Sequence, residues 1–218
     1  MTEHSLMRAL INGRFRVVLL ALALILVPHP SRAIEPPVLV VLGDSLTAGF
    51  GLAPEQAFPA RLQAHLAARG IRVRVENAGV SGDTTAGGLA RLDWSVGADA
   101  DAVIVELGAN DALRGLPPEA AEANLDEILQ RLRQRKLPVL IAGMLAPRNL
   151  GPEYIEAFDG IYPRLAEKYD APLYRFFLDG VVQDPKLNQP DMLHPNEAGV
   201  EVIVRNIAPS VIALLRGL

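Results

Sequence analysis

The feature that most constrains the fold is the segment 38–42 (VLVVL), five consecutive apolar residues followed directly by Gly43-Asp44-Ser45. An apolar run of this length is typical of a strand buried on both faces of a parallel sheet. Longer helical patterns separate it from further short β-rich runs at 71–76, 102–107, 139–142 and, more weakly, 173–176. This alternation predicts an α/β protein with a mostly parallel sheet of about five strands and right-handed crossovers.

Helices are expected between these strands. Apolar periodicity, together with Gly, Pro and capping residues, predicts helices over 58–69, from 83 or 84 to 94, and over 117–134, 151–169 and 196–215. Pro163 is expected to kink the fourth of these helices, and Pro209 is a possible break in the last. The polar segments GDSLTAG, NAGVSGD and GAND follow the first three strands. We expect them to converge at the carboxyl edge of the sheet, where open α/β proteins bind their ligands.

The N-terminal residues have the layout of a secretory signal. Val17–Val27 is a run of 11 apolar residues, with three arginines before it and the small-x-small sequence Ser31-Arg32-Ala33 after it. This run is too short for a spanning helix, which needs about 20 residues. We therefore predict a signal peptide over residues 1–33, one domain over 34–218, and a periplasmic or secreted protein with no stable membrane span after signal removal. An uncleaved N-terminal anchor is the alternative.

Charge and cysteine content narrow the functional classes. The whole chain has a net charge of −4, and residues 1–33 hold four of its arginines and one glutamate, so the remaining domain is more acidic still. Binding to a phosphate backbone needs a concentrated basic face, so no nucleic-acid partner is expected. The absence of cysteine excludes disulfides, thiolate metal sites, a cysteine nucleophile and a lipid-modified cysteine. No metal or other cofactor is indicated, and a monomer is favoured.

Of the four histidines, two lie in the predicted signal, which leaves His65 and His194. His65 falls within a helical pattern that has no carboxylate next to it. His194 precedes the last helix in the sequence DMLHP, where Asp191 can accept a hydrogen bond from Nδ1 and leave Nε2 free as a base. A simple turn into a helix would explain the same short string. Ser45 lies at the first strand-to-helix turn, where either a nucleophile or a helix N-cap is expected.

Transfer of an acyl group also requires hydrogen-bond donors for the developing oxyanion. Three candidates are available: the backbone N–H of Ser45, the backbone N–H of Gly82, which precedes a predicted helix start, and the side-chain amide of Asn110. Asn110 is equally compatible with an Asx turn. Asp44 is interpreted as a structural helix cap without a proton-transfer role.

Taken in order along the chain, these blocks resemble the four sequence blocks of the SGNH (GDSL) hydrolase family. The resemblance covers essentially the whole of 34–218 and is closest to the bacterial acyl-CoA thioesterase I, lysophospholipase and arylesterase branch, through phrases such as LGDSLTAG, SGDTTAGGLARL, VELGANDALRG and HPNEAG. It implies a serine hydrolase with a three-layer α/β/α, flavodoxin-like fold. The implied nucleophile, base and acid are Ser45, His194 and Asp191. The implied oxyanion donors are Ser45, Gly82 and Asn110.

The same resemblance implies a mobile, substrate-binding loop at the acyl site, formed by Ala112, Leu113, Arg114 and Gly115, in which Ala112 replaces the commoner glycine. The implied activity is hydrolysis of carboxylic esters and thioesters, with a small acyl ester or a lysophospholipid as substrate. The alternatives are a carbohydrate or peptidoglycan O-acetylesterase and a non-catalytic periplasmic binding module. A metal phosphohydrolase is a third alternative, and it would use Asp44, Asp83, Asp111 and Asp191.

Overall fold

The computed structural model describes residues 35–218, and the predicted signal peptide over 1–33 lies outside them. Five strands form one sheet in the order β2-β1-β3-β4-β5, and every neighbouring pair is parallel. The strands are β1 Val38–Gly43, β2 Arg74–Gly79, β3 Ala102–Glu106, β4 Val139–Ala142 and β5 Leu173–Tyr174. This is the strand order of flavodoxin-like proteins, so the predicted sheet is confirmed.

Helices cover both faces of the sheet. They are α1 Ser45–Ala48, α2 Phe58–Ala67, α3 Thr85–Ala90, α4 Leu92–Ser95, α5 Ala109–Leu113, α6 Pro118–Gln134, α7 Pro152–Asp159, α8 Ile161–Tyr169 and α9 Glu197–Leu215, with a 3₁₀ turn at Pro54–Gln56. On one face α2 packs against α9, and on the other α6 packs against α3, α7 and α8. The sheet therefore lies between two layers of helices, and the predicted three-layer α/β/α fold is confirmed.

The position of β1 in the sheet determines where a site can form. β1, β3 and β4 are buried along their whole length, whereas β2 is a partly exposed edge strand. The chain leaves β1 on the α2 face to reach β2, and it then crosses on the α3 face to reach β3. Connections therefore diverge at the carboxyl end of β1, which is the topological switch point where such sheets bind ligands. Gly43, Asp44 and Ser45 lie at this point.

The C-terminal helix is a core element. Of the helices in residues 35–218, α9 alone is long and apolar enough to cross a membrane by length and composition. Its residues Ile203, Val204 and Ile207 are at most 1% exposed, and the helix packs against α2 and β4. An apolar helix with these contacts is typical of the interior of a globular domain.

Two predicted helices are each divided in two. The break in 151–169 lies at Gly160 and not at Pro163. Pro163 is the third residue of α8, where the N–H that proline lacks would have no intrahelical partner. The helix predicted to reach residue 94 ends at Ala90 and a new one begins after Arg91, because Arg91 leaves the helical conformation. Pro209 does not interrupt α9.

β2 begins at Arg74 and not at residue 71 as predicted. The Ile71 N–H donates to the Leu66 carbonyl, so Ile71 belongs to the turn that ends α2. Pairing with β1 begins only at Arg74, opposite Val38.

Candidate active site

The turn after β1 carries the predicted nucleophile. Ser45 is the first residue of α1 and is 8% exposed. The Asp44 carboxylate accepts a hydrogen bond from the Leu46 N–H at 2.9 Å, which is the geometry of an N-cap. There is no room for a side chain at position 43, because a Cβ on Gly43 would clash with Thr47 Oγ1. The position of Ser45 is therefore fixed by a closely packed backbone turn.

The loop before α9 brings the predicted base and acid to this serine. Nε2 of His194 lies 2.9 Å from Ser45 Oγ, and Nδ1 lies 2.7 Å from Asp191 Oδ2. The other carboxylate oxygen, Oδ1, accepts hydrogen bonds from the backbone N–H groups of Leu193 and His194, both at 3.0 Å. A continuous chain of hydrogen bonds thus runs from a carboxylate through an imidazole to a hydroxyl.

The Asp191 carboxylate is ionised at neutral pH. Hydrogen bonds from the His194 side chain and from the His194 and Leu193 backbone N–H groups lower the pKa of Asp191 from 3.8 to about 2. An anionic Asp191 keeps the proton of a neutral His194 on Nδ1 and leaves Nε2 free to accept another. The same charge would stabilise an imidazolium formed at His194.

The second histidine has a different environment. His65 lies on α2, where its charged neighbours are Arg69, Glu201 and Arg205. Partial burial is the main cause that lowers the pKa of His65 below its usual value. The structure therefore pairs Ser45 with His194 and leaves His65 outside the arrangement.

Two carboxyl groups are buried directly behind the turn that carries Ser45. Asp44 and Glu106, the last residue of β3, are both 0% exposed. Burial raises the pKa of Asp44 to about 6, and burial together with the Asp44 charge raises the pKa of Glu106 well above its ordinary value. Glu106 Oε2 accepts the Thr47 hydroxyl hydrogen at 2.7 Å, whereas Oε1 is buried with no partner in the part of the chain described. Glu106 is therefore the member of the pair that is more readily protonated, and Asp44, which accepts N–H donors from Leu46 and Asn110, is the member that is more readily ionised.

The three predicted oxyanion donors lie on loops that meet at this edge. Asn110 Nδ2 donates to the Asp83 carbonyl at 2.9 Å and to Asp44 Oδ2 at 3.2 Å. Both hydrogens of this amide are engaged, so stabilisation of an oxyanion requires one of them to be shared. The backbone N–H groups of Ser45 and Gly82 donate to no protein atom within residues 35–218. These two groups are available to a developing negative charge.

Arg91 has a structural role that its sequence context does not reveal. Its guanidinium donates to the Asp83 carboxylate at 2.5 Å and to the carbonyls of Gly43 and Ala78, each at 2.8 Å. The Arg91 side chain is only 14% exposed, so these charge-assisted hydrogen bonds are largely shielded from water. Arg91 thereby joins the carboxyl ends of β1 and β2 to the loop that carries Gly82.

The segment predicted as a loop at the acyl site is only partly a loop. Ala112 and Leu113 are the last residues of α5, and Arg114 and Gly115 follow it. Ala112 is 1% exposed, so its predicted contact with substrate does not agree with its burial in this helix. Leu113 is 52% exposed, and the Arg114 guanidinium donates to the Gly82 carbonyl at 2.7 Å. Leu113 and Arg114 are the members of this segment whose side chains can meet a ligand.

The aspartates of the metal-dependent alternative have separate partners. Asp83 forms a salt bridge with Arg91, and Asp111 accepts hydrogen bonds from the backbone N–H and hydroxyl of Thr85 at 2.8 and 2.6 Å. Asp44 caps α1, and Asp191 is hydrogen-bonded to His194. Across residues 35–218, no three histidine or carboxylate side chains are grouped so that they could hold a metal ion. The donor set does not fit a metal centre.

Known proteins share both the sequence and the fold. Residues 41–202 match the GDSL-like lipase/acylhydrolase family. The chain is 40% identical over 195 residues to esterase TesA of Pseudomonas aeruginosa, covering 89% of this chain and 96% of the relative. It is 40% identical over 186 residues to thioesterase 1/protease 1/lysophospholipase L1 of Escherichia coli K12, covering 85% and 87%. The crystal structure of AlinE4, an SGNH-hydrolase family esterase, matches with a TM-score of 0.70 and 49% identity, covering 83% of this chain and 97% of that chain.

A parallel α/β sheet with a serine, a histidine and an aspartate in hydrogen-bond contact at its carboxyl edge has the architecture of a serine hydrolase. The chain belongs to the GDSL-like lipase/acylhydrolase family of SGNH hydrolases. The resemblance stated from the sequence blocks is confirmed, and the protein is a hydrolase of ester bonds. Membership of an enzyme family also favours catalysis over a non-catalytic binding module.

Proposed function

We propose that the protein is a serine esterase that hydrolyses carboxylic esters and thioesters through an acyl-enzyme formed on Ser45. The observation that carries this proposal is the chain of hydrogen bonds from Asp191 through His194 to Ser45, with distances of 2.7 and 2.9 Å. Its place at the switch point of the sheet supports the same conclusion. Relatives named as an esterase and as a thioesterase and lysophospholipase support the reaction class.

Acylation begins when His194 Nε2 takes the hydroxyl proton of Ser45 as Oγ attacks the substrate carbonyl carbon. Asp191 stabilises the imidazolium that results. The oxyanion accepts hydrogen bonds from the Ser45 and Gly82 backbone N–H groups and from the Asn110 amide. When the tetrahedral intermediate collapses, the bond to the alcohol or thiol breaks, and the leaving group departs with the proton from His194.

Deacylation repeats these steps with water. His194 takes a proton from the water molecule as its oxygen attacks the acyl carbon, and a second tetrahedral intermediate forms. Its collapse breaks the bond to Ser45 Oγ, which recovers the proton from His194. The products are a carboxylic acid and the free enzyme, and no cofactor takes part.

Exposed apolar side chains on the segments that carry the proposed catalytic and oxyanion-binding residues support an apolar acyl group. Phe50, Leu113, Met192 and Leu193 are 50%, 52%, 39% and 50% exposed, respectively. The Phe50 ring lies against the His194 imidazole with centroids 4.5 Å apart, and Met192 and Leu193 immediately precede His194. Burial of one methylene contributes about 0.8 kcal/mol, or roughly fourfold in affinity. We therefore expect acyl chains to be preferred over the acetylated sugars of the O-acetylesterase alternative.

The signal-like N-terminal sequence adds export to the proposal. An exported enzyme meets little acyl-CoA, so lysophospholipids and small aryl or alkyl esters are the expected physiological substrates, and thioester hydrolysis is expected in vitro. Recovery of a chain that begins after Ala33 from the periplasmic fraction would support this location. Recovery of the full-length chain from membranes would support the uncleaved anchor.

Covalent labelling tests the proposal directly. We expect a fluorophosphonate to label the wild-type protein at Ser45, identified by mass spectrometry of its peptides, and to label Ser81→Ala equally, because Ser81 is exposed on a neighbouring loop. Ser45→Ala should not be labelled, and EDTA should leave ester hydrolysis unchanged. Labelling at another serine, or none, would contradict the proposal. A panel of p-nitrophenyl esters from acetyl to palmitoyl, beside lysophosphatidylcholine and acetylated sugars, separates the esterase from the O-acetylesterase.

A further inference from the structure

The proposed catalytic residues come from two segments that no secondary-structure element joins. Ser45 lies after β1, and its partner His194 lies 149 residues later in the loop before α9. Proton transfer between them depends on the distance from Nε2 to Oγ, and a displacement of about 1 Å can cost 10²-fold in rate. A contact that fixes one segment against the other would therefore control the reaction.

Gln189 makes such a contact. Its side-chain amide donates to the Phe50 carbonyl at 2.7 Å and to the Pro195 carbonyl at 3.0 Å. Its backbone N–H donates to the His194 carbonyl at 2.8 Å. Phe50 is bonded to the backbone of the proposed nucleophile, because its own N–H donates to the Ser45 carbonyl at 3.1 Å. Residues 45–50 are called the nucleophile segment below. A short path of hydrogen bonds thus runs from the Ser45 backbone through Phe50 and Gln189 to the His194 backbone.

Packing around Gln189 reinforces this path. The Phe50 ring, whose carbonyl Gln189 holds, lies against the His194 imidazole at an interplanar angle of 35°. The next residue, Gly51, has no side chain to obstruct the contact, and a Cβ there would clash with Gln189 Oε1. The two segments therefore meet through a polar contact on one side and a ring contact on the other.

Other amides of the same loop act within it. Asn188 donates to the carbonyls of Val181 and Asp184, and Asn196 donates to those of Lys186 and Asn188. All of these partners lie between residues 181 and 196. They give the loop its shape, but they do not fix it against the nucleophile segment.

We propose that Gln189 is a positioning residue. It holds the loop 181–196, which carries the proposed base and is called the base loop below, against the nucleophile segment, and so sets the distance between His194 Nε2 and Ser45 Oγ. This inference rests on the proposed function, since it assigns Gln189 an effect on proton transfer between those two atoms. The hydrogen bonds of Gln189 go to backbone carbonyls and not to Ser45 Oγ or His194 Nε2, so it acts through the backbone that carries these atoms.

The test compares two variants of Gln189 with a matched surface control. Gln189→Met keeps most of the side-chain length and removes both N–H donors, and Gln189→Glu keeps the shape but places an anionic oxygen against two carbonyls. Gln130→Met makes the same chemical change at an exposed position of α6. For both Gln189 variants we expect kcat on a p-nitrophenyl ester to fall about 10- to 100-fold, with KM within about twofold of wild type.

The rate of fluorophosphonate labelling at Ser45 gives an independent readout. It should fall by the same factor as kcat in both Gln189 variants, because labelling also needs His194 to activate the serine. Gln130→Met should match wild type in both measurements. A kcat and a labelling rate within about twofold of wild type in either folded variant, whatever the change in melting temperature, would overturn the inference. Failure of the wild-type protein to be labelled at Ser45 would instead overturn the proposed function.

Discussion

Ser45 follows a strand that is buried along its whole length, whereas His194 and Asp191 lie in a loop with no regular helix or strand of its own. The serine is placed by apolar packing beneath it and by the buried carboxyl groups of Asp44 and Glu106. The proposed base and acid are held to each other by local hydrogen bonds within a four-residue turn, in which Met192 has a positive φ of 59°. We therefore expect substitutions in β1 to affect mainly stability and substitutions in the turn 191–194 to affect mainly activity.

Loss of the proposed base should have the largest effect. His194→Ala should lower kcat by about 10⁴-fold or more, because within residues 35–218 His194 Nε2 is the basic atom in hydrogen-bond contact with Ser45 Oγ. The melting temperature should change much less, since the neighbouring side chains of Met192 and Leu193 are 39% and 50% exposed. His65→Ala is the matched control and should retain wild-type kcat. Steady-state hydrolysis of a p-nitrophenyl ester with thermal unfolding checks both, and near-normal turnover in His194→Ala would rule out the proposed mechanism.

Asn110→Ala should have the next largest effect. Removal of one oxyanion donor typically costs about 10²- to 10³-fold in kcat, with KM much less affected. Some loss of stability is also expected, because the Asn110 amide donates to Asp44 and to the Asp83 carbonyl. Asn149→Ala, at an exposed loop position, is the control. If kcat fell no further in Asn110→Ala than in the control, the amide would have only a structural role.

A pair of leucine substitutions separates stability from activity. Leu42→Ala removes a side chain that is 0% exposed in β1 and should lower the free energy of unfolding by about 2–5 kcal/mol. Leu193→Ala, 50% exposed beside the base, should change it by no more than about 0.5 kcal/mol. Urea unfolding measures both. Equal losses of stability would show that the base loop is part of the cooperative core.

The smallest effect on activity is expected for Glu106→Gln, whose interest lies in its pH dependence. Glu106 keeps its proton in the folded protein above pH 4.5, where an unfolded glutamate loses it. The raised pKa therefore makes wild-type stability fall as pH rises from 4.5 towards the folded pKa. The amide of Glu106→Gln does not titrate, so the stability of this variant should fall less steeply as pH rises. The slopes for wild type and variant should differ by up to about 1.4 kcal/mol per pH unit.

Urea unfolding between pH 5 and 8 measures this slope for Glu106→Gln beside Glu153→Gln, an exposed control on α7. Activity at pH 7 should stay within about threefold of wild type, because an amide mimics a neutral carboxyl group. Parallel stability curves for wild type and Glu106→Gln would mean that Glu106 is ionised in the folded protein.

The parts of the fold that were predictable from sequence depend on local patterns. The apolar run 38–42 and the alternation that follows it predict the presence of five strands but not the start of β2, and the elimination of other histidines singles out His194 as the candidate base. The helix break lies at Gly160 and not at the predicted Pro163, because proline is tolerated in the first turn of a helix. Arg91 and Gln189 could not be found, because their partners lie in loops far away in sequence. Glu106 did leave a signal, an acidic residue within the apolar run AVIVEL.

The three-residue spacing between Asp191 and His194 has a kinetic consequence. Both are bonded within the same turn, so a shift of the start of α9 would carry acid and base together as one unit. Such a shift would alter the gap to Ser45 Oγ and leave the hydrogen bond between Asp191 Oδ2 and His194 Nδ1 intact. A substitution that moves this turn as a whole should therefore lower kcat without separating the acid from the base.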